Sequence, residues 1–387
     1  MSSTLRLAGF FFASALLVGI GCLGGTTLQQ AEAPSSVLEC FKVATDGGPL
    51  VLPVEIQGKC YPFLLATGSS MTIYGPSLRP LLGNAIVSKH KRMHGRDTTL
   101  SICWPPAAKL GHIDLPKNSP VVCMDLGKIG EVTGEEISGC LGMDFLGKHV
   151  FRIDFDRGEV TFLTSAGPDS GQRLPVVFNH QLPHVMVEVA GLHRPESFAV
   201  NTSTAGNSSG DLRKKVFAAL AKQGMLTPAG QTLTETPFGS DTDQRGRVES
   251  ISLAGFRHEK LLFCESGENV LKLNYLSRFV VTFDFPNKAI YLKKGRQYER
   301  ADVCDLSGLR ILRHSGQTLV DHVEEGSLAE RAGVKPQDVL LKIDDMNVNE
   351  MSLYSIRRSL CVEGKRCRFV IRRGEKELET EFILHDR

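Results

Sequence analysis

Two short loops rich in hydroxyl side chains each follow an apolar, strand-like stretch. The first, Ala66–Ser69, comes after "YPFLL", and the second, Asn201–Ser203, comes after "ESFAV". Loops of this kind can present side chains for acid–base chemistry, but a methyl group has no lone pair and a carboxamide does not titrate near neutral pH. Ala66 and Asn201, which open the two loops, therefore cannot serve as a general acid and a general base.

Other residues offer weaker alternatives for the same chemistry. Ser69 is a conceivable nucleophile with His90 or His94 as its base, but no nucleophile-elbow motif or orienting third group accompanies it. The polar stretch "GSDTDQRGR" could overhang a cleft as a flap, and it contains Asp241 and Asp243. Three other carboxylates are expected to hold turns and strand ends, namely Asp144, Asp154 and Asp284. The histidines and cysteines lack metal-ligand spacing, so neither a metal nor a cofactor is expected.

The elements that must position the two loops form an internal repeat. "LPVEIQGKCYPFLLATGSS" corresponds to "VMVEVAGLHRPESFAVNTS", each with an alternating strand, a glycine turn and an apolar strand. Further on, "GCLGMDFLGKHVFRIDFDRGEVTFL" corresponds to "ENVLKLNYLSRFVVTFDFPNKAIYL", each with a helical turn and a hairpin. A helix is indicated at "LRKKVFAALAKQG", where Val216 and Leu220 share a face and Gly224 ends it. The pattern predicts a mainly β fold with two similar lobes and a ligand site in the cleft between them.

The repeat resembles the two lobes of aspartic peptidases, in particular bacterial retropepsin-like proteins joined in tandem. The features that carry this resemblance are the strand and Thr-containing loop of each half and the downstream "LGMDFL…IDF" segment. The resemblance implies two acid-protease-type β-barrel lobes, at residues 36–165 and 173–296, which would each donate one catalytic aspartate. Here both of those positions are substituted, by Ala66 and Asn201. The other loop residues are expected to brace the lobes against each other, and these are Thr67, Gly68, Ser69, Thr202 and Ser203.

A different pattern begins after "KKGRQYERADVCD". The stretch "VDHVEEGSLAERAGVKPQDVLLKIDDMNV" resembles a PDZ domain, whose hallmark it matches at Gly326, Ser327, Ala329, Ala332, Gly333, Val334, Asp338 and Ile343. The resemblance implies a small α+β barrel at residues 303–387 that takes an extended peptide or a protein C-terminus as an extra strand. The residues expected to line its groove are Leu306, Ser307, Gly308, Leu309, Arg310, Ile311, Leu353 and Ile356, with core packing as the alternative for the last two.

The N-terminus has the pattern of an export signal. Arg6 is the only charge before an apolar run that extends from Leu7 to Leu23 and ends in small residues. Residues 1–33 are therefore expected to be a signal peptide, with a membrane span as the alternative. Cys22 is a candidate for a lipid anchor, with ordinary cleavage near "QAEA" as the alternative. In either case the rest of the chain is expected to be exported, as a periplasmic, envelope-associated or secreted protein.

Composition excludes one class of partner and favours an oxidising compartment. A total of 45 Lys and Arg residues balances 43 Asp and Glu residues, so the net charge of +2 gives no field of the kind that binds nucleic acid. The chain has 10 cysteines, which fits a compartment where disulfides persist. Candidate pairs are Cys40 with Cys60, Cys103 with Cys123, and Cys361 with Cys367, although spacing alone leaves the pairing open.

These observations favour an exported, catalytically inactive protein that binds peptides or proteins through the cleft between the lobes and through the PDZ groove. One alternative is an active aspartic endopeptidase that recruits substrates through its PDZ domain and carries its proton on another group. A second alternative is a structural or assembly protein of the cell envelope. The substitutions at Ala66 and Asn201 favour the first interpretation over a working peptidase.

Overall fold

The structure is a computed structural model that describes residues 36–93, 96–203, 206–236 and 239–385. Within these ranges, side chains are described except at residues 89–98 and 233–241. The predicted signal peptide at residues 1–33, with Cys22, lies outside the described residues, as do His94 and the side chains of His90 and Asp241. No helix within the described ranges is long and apolar enough to span a membrane.

Residues 36–163, called the first half below, consist mainly of short strands, because apolar and polar residues alternate along them. In "VLPVEI", for example, Leu52, Val54 and Ile56 are buried while Pro53 and Glu55 are exposed. The elements are β1 (Val37–Lys42), β2 (Val51–Ile56), β3 (Lys59–Leu65), β4 (Ile73–Tyr74), a 3-10 turn (Pro76–Leu81), β5 (Ala85–Met93), β6 (Arg96–Cys103), β7 (Ala108–Leu110), β8 (Ile113–Asp114), β9 (Val121–Cys123), α1 (Gly127–Thr133), β10 (Gly139–Leu141), α2 (Met143–Leu146), β11 (Val150–Asp154) and β12 (Glu159–Leu163).

The second half repeats this pattern and adds one longer helix. That helix buries Val216 and Leu220 as its sequence predicts, and Gly224 follows its end with a φ of 70°. The elements are a 3-10 turn (Pro168–Ser170), β13 (Gln172–Pro175), β14 (Val177–Asn179), β15 (Leu182–Val189), β16 (Glu196–Val200), β17 (Gly210–Arg213), α3 (Lys214–Lys222), β18 (Leu226–Thr236), β19 (Gly239–Leu253), β20 (Phe256–Ser266), β21 (Val270–Leu271), α4 (Leu273–Leu276), β22 (Phe279–Asp284) and β23 (Ala289–Lys294).

The two halves share one strand connectivity. In the first half, β2 and β3 form an antiparallel hairpin, β3 runs parallel to β10, and β10 is antiparallel to β4. In the second half, β15 and β16 are antiparallel, β16 runs parallel to β21, and β21 is antiparallel to β17. The loops Ala66–Ser69 and Asn201–Ser203, called the twin loops below, therefore follow equivalent strands, β3 and β16.

Strands from both halves join in one six-stranded sheet with the order β1-β12-β11-β22-β23-β13. At its centre β11 and β22 pair antiparallel, and Phe151 lies opposite Phe283. The rings of these two buried residues stack with their centroids 4.8 Å apart. One hydrophobic core extends across both halves, so they form a single body, defined here as residues 36–296.

The C-terminal part of the chain has its own sheet and its own core. The sheet order is β24-β25-β26-β28-β29, with β27 beside β26, so β24 and β29 form its edges. Leu353 and Ile356 of its second helix pack in this core with Ile311 of β24. The elements are β24 (Leu309–His314), β25 (Gln317–Val323), α5 (Leu328–Arg331), β26 (Val339–Ile343), β27 (Met346–Asn347), a 3-10 turn (Val348–Glu350), α6 (Leu353–Ser359), β28 (Arg366–Arg373) and β29 (Lys376–Ile383).

A buried ion pair fixes the segment that joins the body to the C-terminal part. Arg278 Nη2 lies 2.7 Å from Asp302 Oδ1, and both side chains are fully buried. The Asp302 carboxylate also accepts from the Leu262 amide at 2.8 Å and from Asn274 Nδ2 at 2.9 Å. Such additional hydrogen bonds are needed because the loss of hydration otherwise outweighs the attraction of a buried pair. The segment between β23 and β24, called the linker below, is therefore held in one conformation on the body.

Candidate functional site

A reciprocal pair of threonines joins the twin loops. Thr67 and Thr202 are fully buried, and the backbone N–H of each donates to the hydroxyl oxygen of the other at 3.1 Å. Thr67 Oγ1 donates to the Val200 carbonyl at 2.7 Å, and Thr202 Oγ1 donates to the Leu65 carbonyl at 2.8 Å. Each hydroxyl thus donates once and accepts once across the junction, which ties the end of β3 to the end of β16.

The two positions at which the resemblance implies aspartates lie at this junction. The amides of Ala66 and Asn201 donate to the Leu141 and Leu271 carbonyls, both at 3.0 Å, so the two residues continue their strands in the same way. Ala66 is buried among apolar side chains. Asn201 Oδ1 accepts from the amide of Ser203 at 2.9 Å and from its hydroxyl at 2.6 Å. Neither side chain can exchange a proton with a substrate near neutral pH.

The remaining residues of the first loop are used locally. A Cβ on Gly68 would lie only 2.4 Å from Cγ of Asn201, so only glycine fits beside this carboxamide. The hydroxyl of Ser69, which the sequence suggests as a nucleophile, donates to the Met71 carbonyl at 2.7 Å. Its candidate bases His90 and His94 lie outside the described side chains. The described contacts of Ser69 are therefore those of a turn residue.

Of the four described carboxylates considered as substitutes, three hold turns and strand ends, as expected. Asp243 lies in β19, within the long β18–β19 hairpin. The other three accept hydrogen bonds from nearby groups: Asp144 from Thr72 and Phe145, Asp154 from Arg157, and Asp284 from Asn287.

A buried ion pair that the sequence analysis missed lies in the second half. Lys272 Nζ is 2.5 Å from Asp211 Oδ1 and donates to Ser208 Oγ at 3.3 Å. Burial opposes the charge on Lys272, but Asp211, Cys264 and Asp243 together outweigh this effect and raise the pKa of the lysine. An ammonium group held in its charged form cannot activate Ser208 as a base would. In the internal repeat Lys272 aligns with Gly142, and a lysine in place of a glycine is the sequence feature that could have revealed this ion pair.

The loop before β24 forms a nest of hydrogen-bond donors that Asp305 fills. Gly308 turns this loop with a φ of 78°. The Asp305 carboxylate accepts from the Gly308 amide at 2.7 Å and from Ser307 Oγ at 2.9 Å, and Ser307 Oγ accepts from the Leu309 amide at 3.1 Å. Burial raises the pKa of Asp305 to about 6, although the hydrogen bonds from Ser307 and Gly308 partly offset it. Asp305 is therefore mostly ionised at neutral pH.

The predicted groove residues separate into three groups. Gly308, Leu309, Arg310 and Ile311 line a cavity at the edge of β24. Leu306 donates its amide to the Leu360 carbonyl, and Ser307 is fully buried within the loop. Leu353 and Ile356 have no exposed surface and pack in the core, which is the alternative that the sequence left open for them. The physical reason is that the start of α6 faces the body, where a Cβ on Gly134 would lie 2.6 Å from Cβ of Leu353.

Arg357 of α6 reaches the edge of β24 instead. Its Nη2 donates to the Ile311 carbonyl at 2.6 Å, and its Nη1 donates to the Val132 carbonyl at 2.8 Å. Val132 lies in the last turn of α1, where carbonyls lack helical partners and favour a cation. Burial lowers the pKa of Arg357 to about 10, so the side chain stays charged at neutral pH. Arg357 therefore links α6, β24 and α1, and it occupies one edge carbonyl of β24.

One cavity of about 1100 Å³ connects the twin loops with the edge of β24. From the body it is lined by Ala66, Gly68, Ser69, Asn201 and Ser203 of the twin loops, and by Lys128, Ile129, Val132 and Thr133 of α1. From the C-terminal part it is lined by Asp305, residues 308–312, Tyr354 and Arg357, among others. The two sites that the sequence suggests separately thus open into one space.

The cysteines of the described residues are not joined by disulfides. The nine cysteines of the described region are all thiols, so none of the three candidate disulfides is present there. Cys103 and Cys123 lie on paired strands but out of register, because Cys103 is opposite Val121 and Cys123 is opposite Ser101. Among the described residues, no group of three His, Cys, Asp or Glu side chains is placed to hold a metal ion.

Comparison with known proteins identifies one region of the chain. No curated protein matches the chain. The PDZ domain family matches residues 319–373, which extend from β25 to the end of β28 and include α5 and α6. PDZ domains bind peptides or protein C-termini by adding them to a sheet edge. The protein therefore combines a mainly β body with a C-terminal region that, at residues 319–373, is a PDZ domain.

Proposed function

We propose that this protein binds extended polypeptide segments in the cavity shared by the twin loops and β24, and that it does not hydrolyse them. The observation that carries the proposal is the continuity of this cavity. A PDZ domain binds by strand addition at an open edge, and the β24 edge lines the cavity from Gly308 to Leu312. The same space is lined by Ala66 and Asn201, so a peptide on β24 has room to continue toward the twin loops.

The body is, in this proposal, a tandem relative of aspartic peptidases, with lobes at residues 36–165 and 173–296. Two observations support the relationship. The halves repeat one connectivity around β3 and β16, and the loops after these strands are tied by the Thr67–Thr202 pair. In such a body the twin loops brace the lobes, whether or not they catalyse a reaction.

Peptide hydrolysis by this mechanism needs two carboxylates that share a proton and activate a water molecule. Alanine and asparagine at positions 66 and 201 supply neither the base nor the acid, and this alone removes about 10²–10⁴-fold of rate. The described carboxylates that line the cavity are Glu268, Asp305 and Glu324. Asp305 is engaged by its own loop, so it does not replace the missing acid pair.

We further propose that the protein is exported. The support is the N-terminal sequence, in which the single charge of Arg6 precedes the apolar run from Leu7 to Leu23. Cys22 is the candidate for a lipid anchor. Fractionation of cells that express the full chain, followed by mass spectrometry of its N-terminus, tests both points. A cytoplasmic, unprocessed chain would contradict export.

Binding is tested with fluorescent random decapeptides and two matched variants. Leu309→Asp places a carboxylate on β24 inside the cavity, whereas Leu378→Asp places one on β29, at the opposite edge of the same sheet. We expect the first variant to bind the decapeptides at least about tenfold more weakly and the second to bind like the wild type, because only the first faces the cavity. Thermal unfolding of both variants controls for loss of fold.

Two results would contradict the proposal. Equal loss of binding in both variants, with folding intact, would show that the cavity edge has no special role. Absence of binding by the wild-type protein would remove the proposed function altogether. Binding lost only in Leu309→Asp supports it.

A further inference from the structure

We infer that Asp305 fills the carboxylate site of the PDZ region from within the chain, so that the bound segment is an internal stretch of polypeptide and not a chain terminus. This inference rests on the proposed function, because it specifies which class of polypeptide the cavity takes. It concerns a residue that directly precedes the predicted groove loop in the sequence.

The loop before β24 has the geometry of an anion site whose donors are already used. A sharp turn with consecutive donors forms a concave site for an anion, and a ligand carboxylate bound at the end of β24 would need the amides there. The Gly308 amide already donates to Asp305 Oδ1 at 2.7 Å. The Ser307 hydroxyl, which accepts from the Leu309 amide, donates to the same carboxylate at 2.9 Å. The Gly308 and Leu309 amides of the nest are thus already hydrogen-bonded before any ligand arrives.

The charge of Asp305 disfavours a second carboxylate at this loop. A terminal carboxylate placed at this loop would meet the Asp305 carboxylate at close range, and like charges in a poorly solvated site repel strongly. Glu324 adds to the negative field, because it raises the pKa of Asp305 together with burial. A peptide bond carries no net charge and avoids this repulsion. The site therefore discriminates against a free terminus and accepts a continuous chain.

The cavity continues beyond the loop toward the body. A groove that takes a chain terminus has to close behind the carboxylate, whereas here Asp305 and Gly308 line the cavity together with Asn201 and Asn207 of the body. A strand laid along β24 can therefore extend past the loop toward the twin loops. Occupied donors and like charge, which both arise from Asp305, and the open path beside the loop favour the same class of ligand.

The test compares two random decapeptide libraries that differ only at the C-terminus, one with free carboxyl groups and one amidated. The full chain is assayed at pH 7.5 as the wild type, as Asp305→Ala and as Asp305→Asn. Asp345→Ala is the control, because Asp345 is exposed and pairs with Arg368 away from the cavity. We expect the wild type and the control to bind both libraries within about twofold of each other.

We expect Asp305→Ala to prefer free carboxyl groups by at least about tenfold, because the Gly308 amide then becomes available, and we expect Asp305→Asn to show a smaller preference in the same direction. If Asp305→Ala fails to fold, the wild type and Asp305→Asn still decide the question. A wild type that prefers free carboxyl groups by tenfold would overturn the inference and leave the proposed function intact. Binding of neither library by any form would overturn the proposed function, and the inference with it.

Discussion

At the scale of single residues, the side chains that hold the twin loops together are not the ones that occupy the positions where catalysis would need carboxylates. Thr67 and Thr202 exchange four hydrogen bonds with the opposite strand and loop. The neighbouring positions 66 and 201 carry a methyl group and a carboxamide where acid–base chemistry would need carboxylates. The contacts that hold the halves together therefore do not depend on the groups that would catalyse hydrolysis.

Removing one hydroxyl from this junction should destabilise the whole body. Thr67→Val and Thr202→Val should each lower the free energy of unfolding by about 1–3 kcal/mol, because each leaves a buried carbonyl and a buried amide without a partner. The double variant should lose less than the sum, because the two hydroxyl oxygens lie 3.3 Å apart and each single substitution already disturbs the bonds of the other side chain. Urea denaturation measures these values, with the exposed Thr227→Val as the control. Strictly additive losses would contradict a shared network.

The second residue-scale prediction concerns Asp305 and pH. Burial raises its pKa to about 6 from a model-peptide value of 3.8, so the folded protein binds more protons than the unfolded chain between these values. The stability of the wild type relative to Asp305→Asn should therefore fall as the pH rises from about 4 to about 6, by at most about 3 kcal/mol, and stay constant above. Denaturation at a series of pH values measures the difference. A stability of the wild type relative to Asp305→Asn that increases with rising pH would contradict this prediction.

At the scale of elements, the strands were predictable and the groove was not. Period-two alternation marks β2 and β15, and glycine turns follow both. The sequence left Leu353 and Ile356 open between groove and core, because an apolar residue on an amphipathic helix has the same sequence signature whether it faces a ligand or a core. The structure packs both residues in the core. Asp305 had a usable local signal, since an Asp shortly before Ser-Gly is typical of a side-chain-capped turn.

The contact between α1 and α6 gives an element-scale prediction with a matched control. Gly134 and Gly364 both have a φ of 77°, but an added Cβ would collide with Leu353 only at Gly134. Gly134→Ala should therefore lower the free energy of unfolding by about 1 kcal/mol or more beyond the loss caused by Gly364→Ala, which reports backbone strain alone. Thermal or urea denaturation makes the comparison. Equal losses of unfolding free energy in the two variants would show that α1 and α6 can move apart with no loss of stability.

At the scale of the whole molecule, several contacts attach the PDZ region to the body. Ser352 donates to Asp46 at 2.7 Å, Arg357 reaches α1, and the linker is fixed by the Arg278–Asp302 pair. These long-range contacts create the shared cavity. They could not be predicted from the sequence, because neither the repeat nor the PDZ pattern specifies how the surfaces of two separate cores meet.

Breaking the linker pair should have a much larger effect than breaking a surface pair. Asp302→Asn leaves the fully buried Arg278 without its counter-charge, so we expect a loss of about 3–5 kcal/mol in the free energy of unfolding. Glu381→Gln breaks the exposed pair with Arg366, for which we expect a loss below about 1 kcal/mol. Urea denaturation of the full chain compares them. Similar values for the two variants would contradict the role assigned to the linker.

The most direct test of binding without hydrolysis is mass spectrometry of random decapeptides recovered from the protein after incubation between pH 3 and pH 7. We expect intact decapeptides to be retained at neutral pH and no shorter fragments to accumulate at any pH, because positions 66 and 201 provide no acid pair. Fragments whose formation is suppressed by a pepstatin-type inhibitor would instead show that the protein hydrolyses peptides.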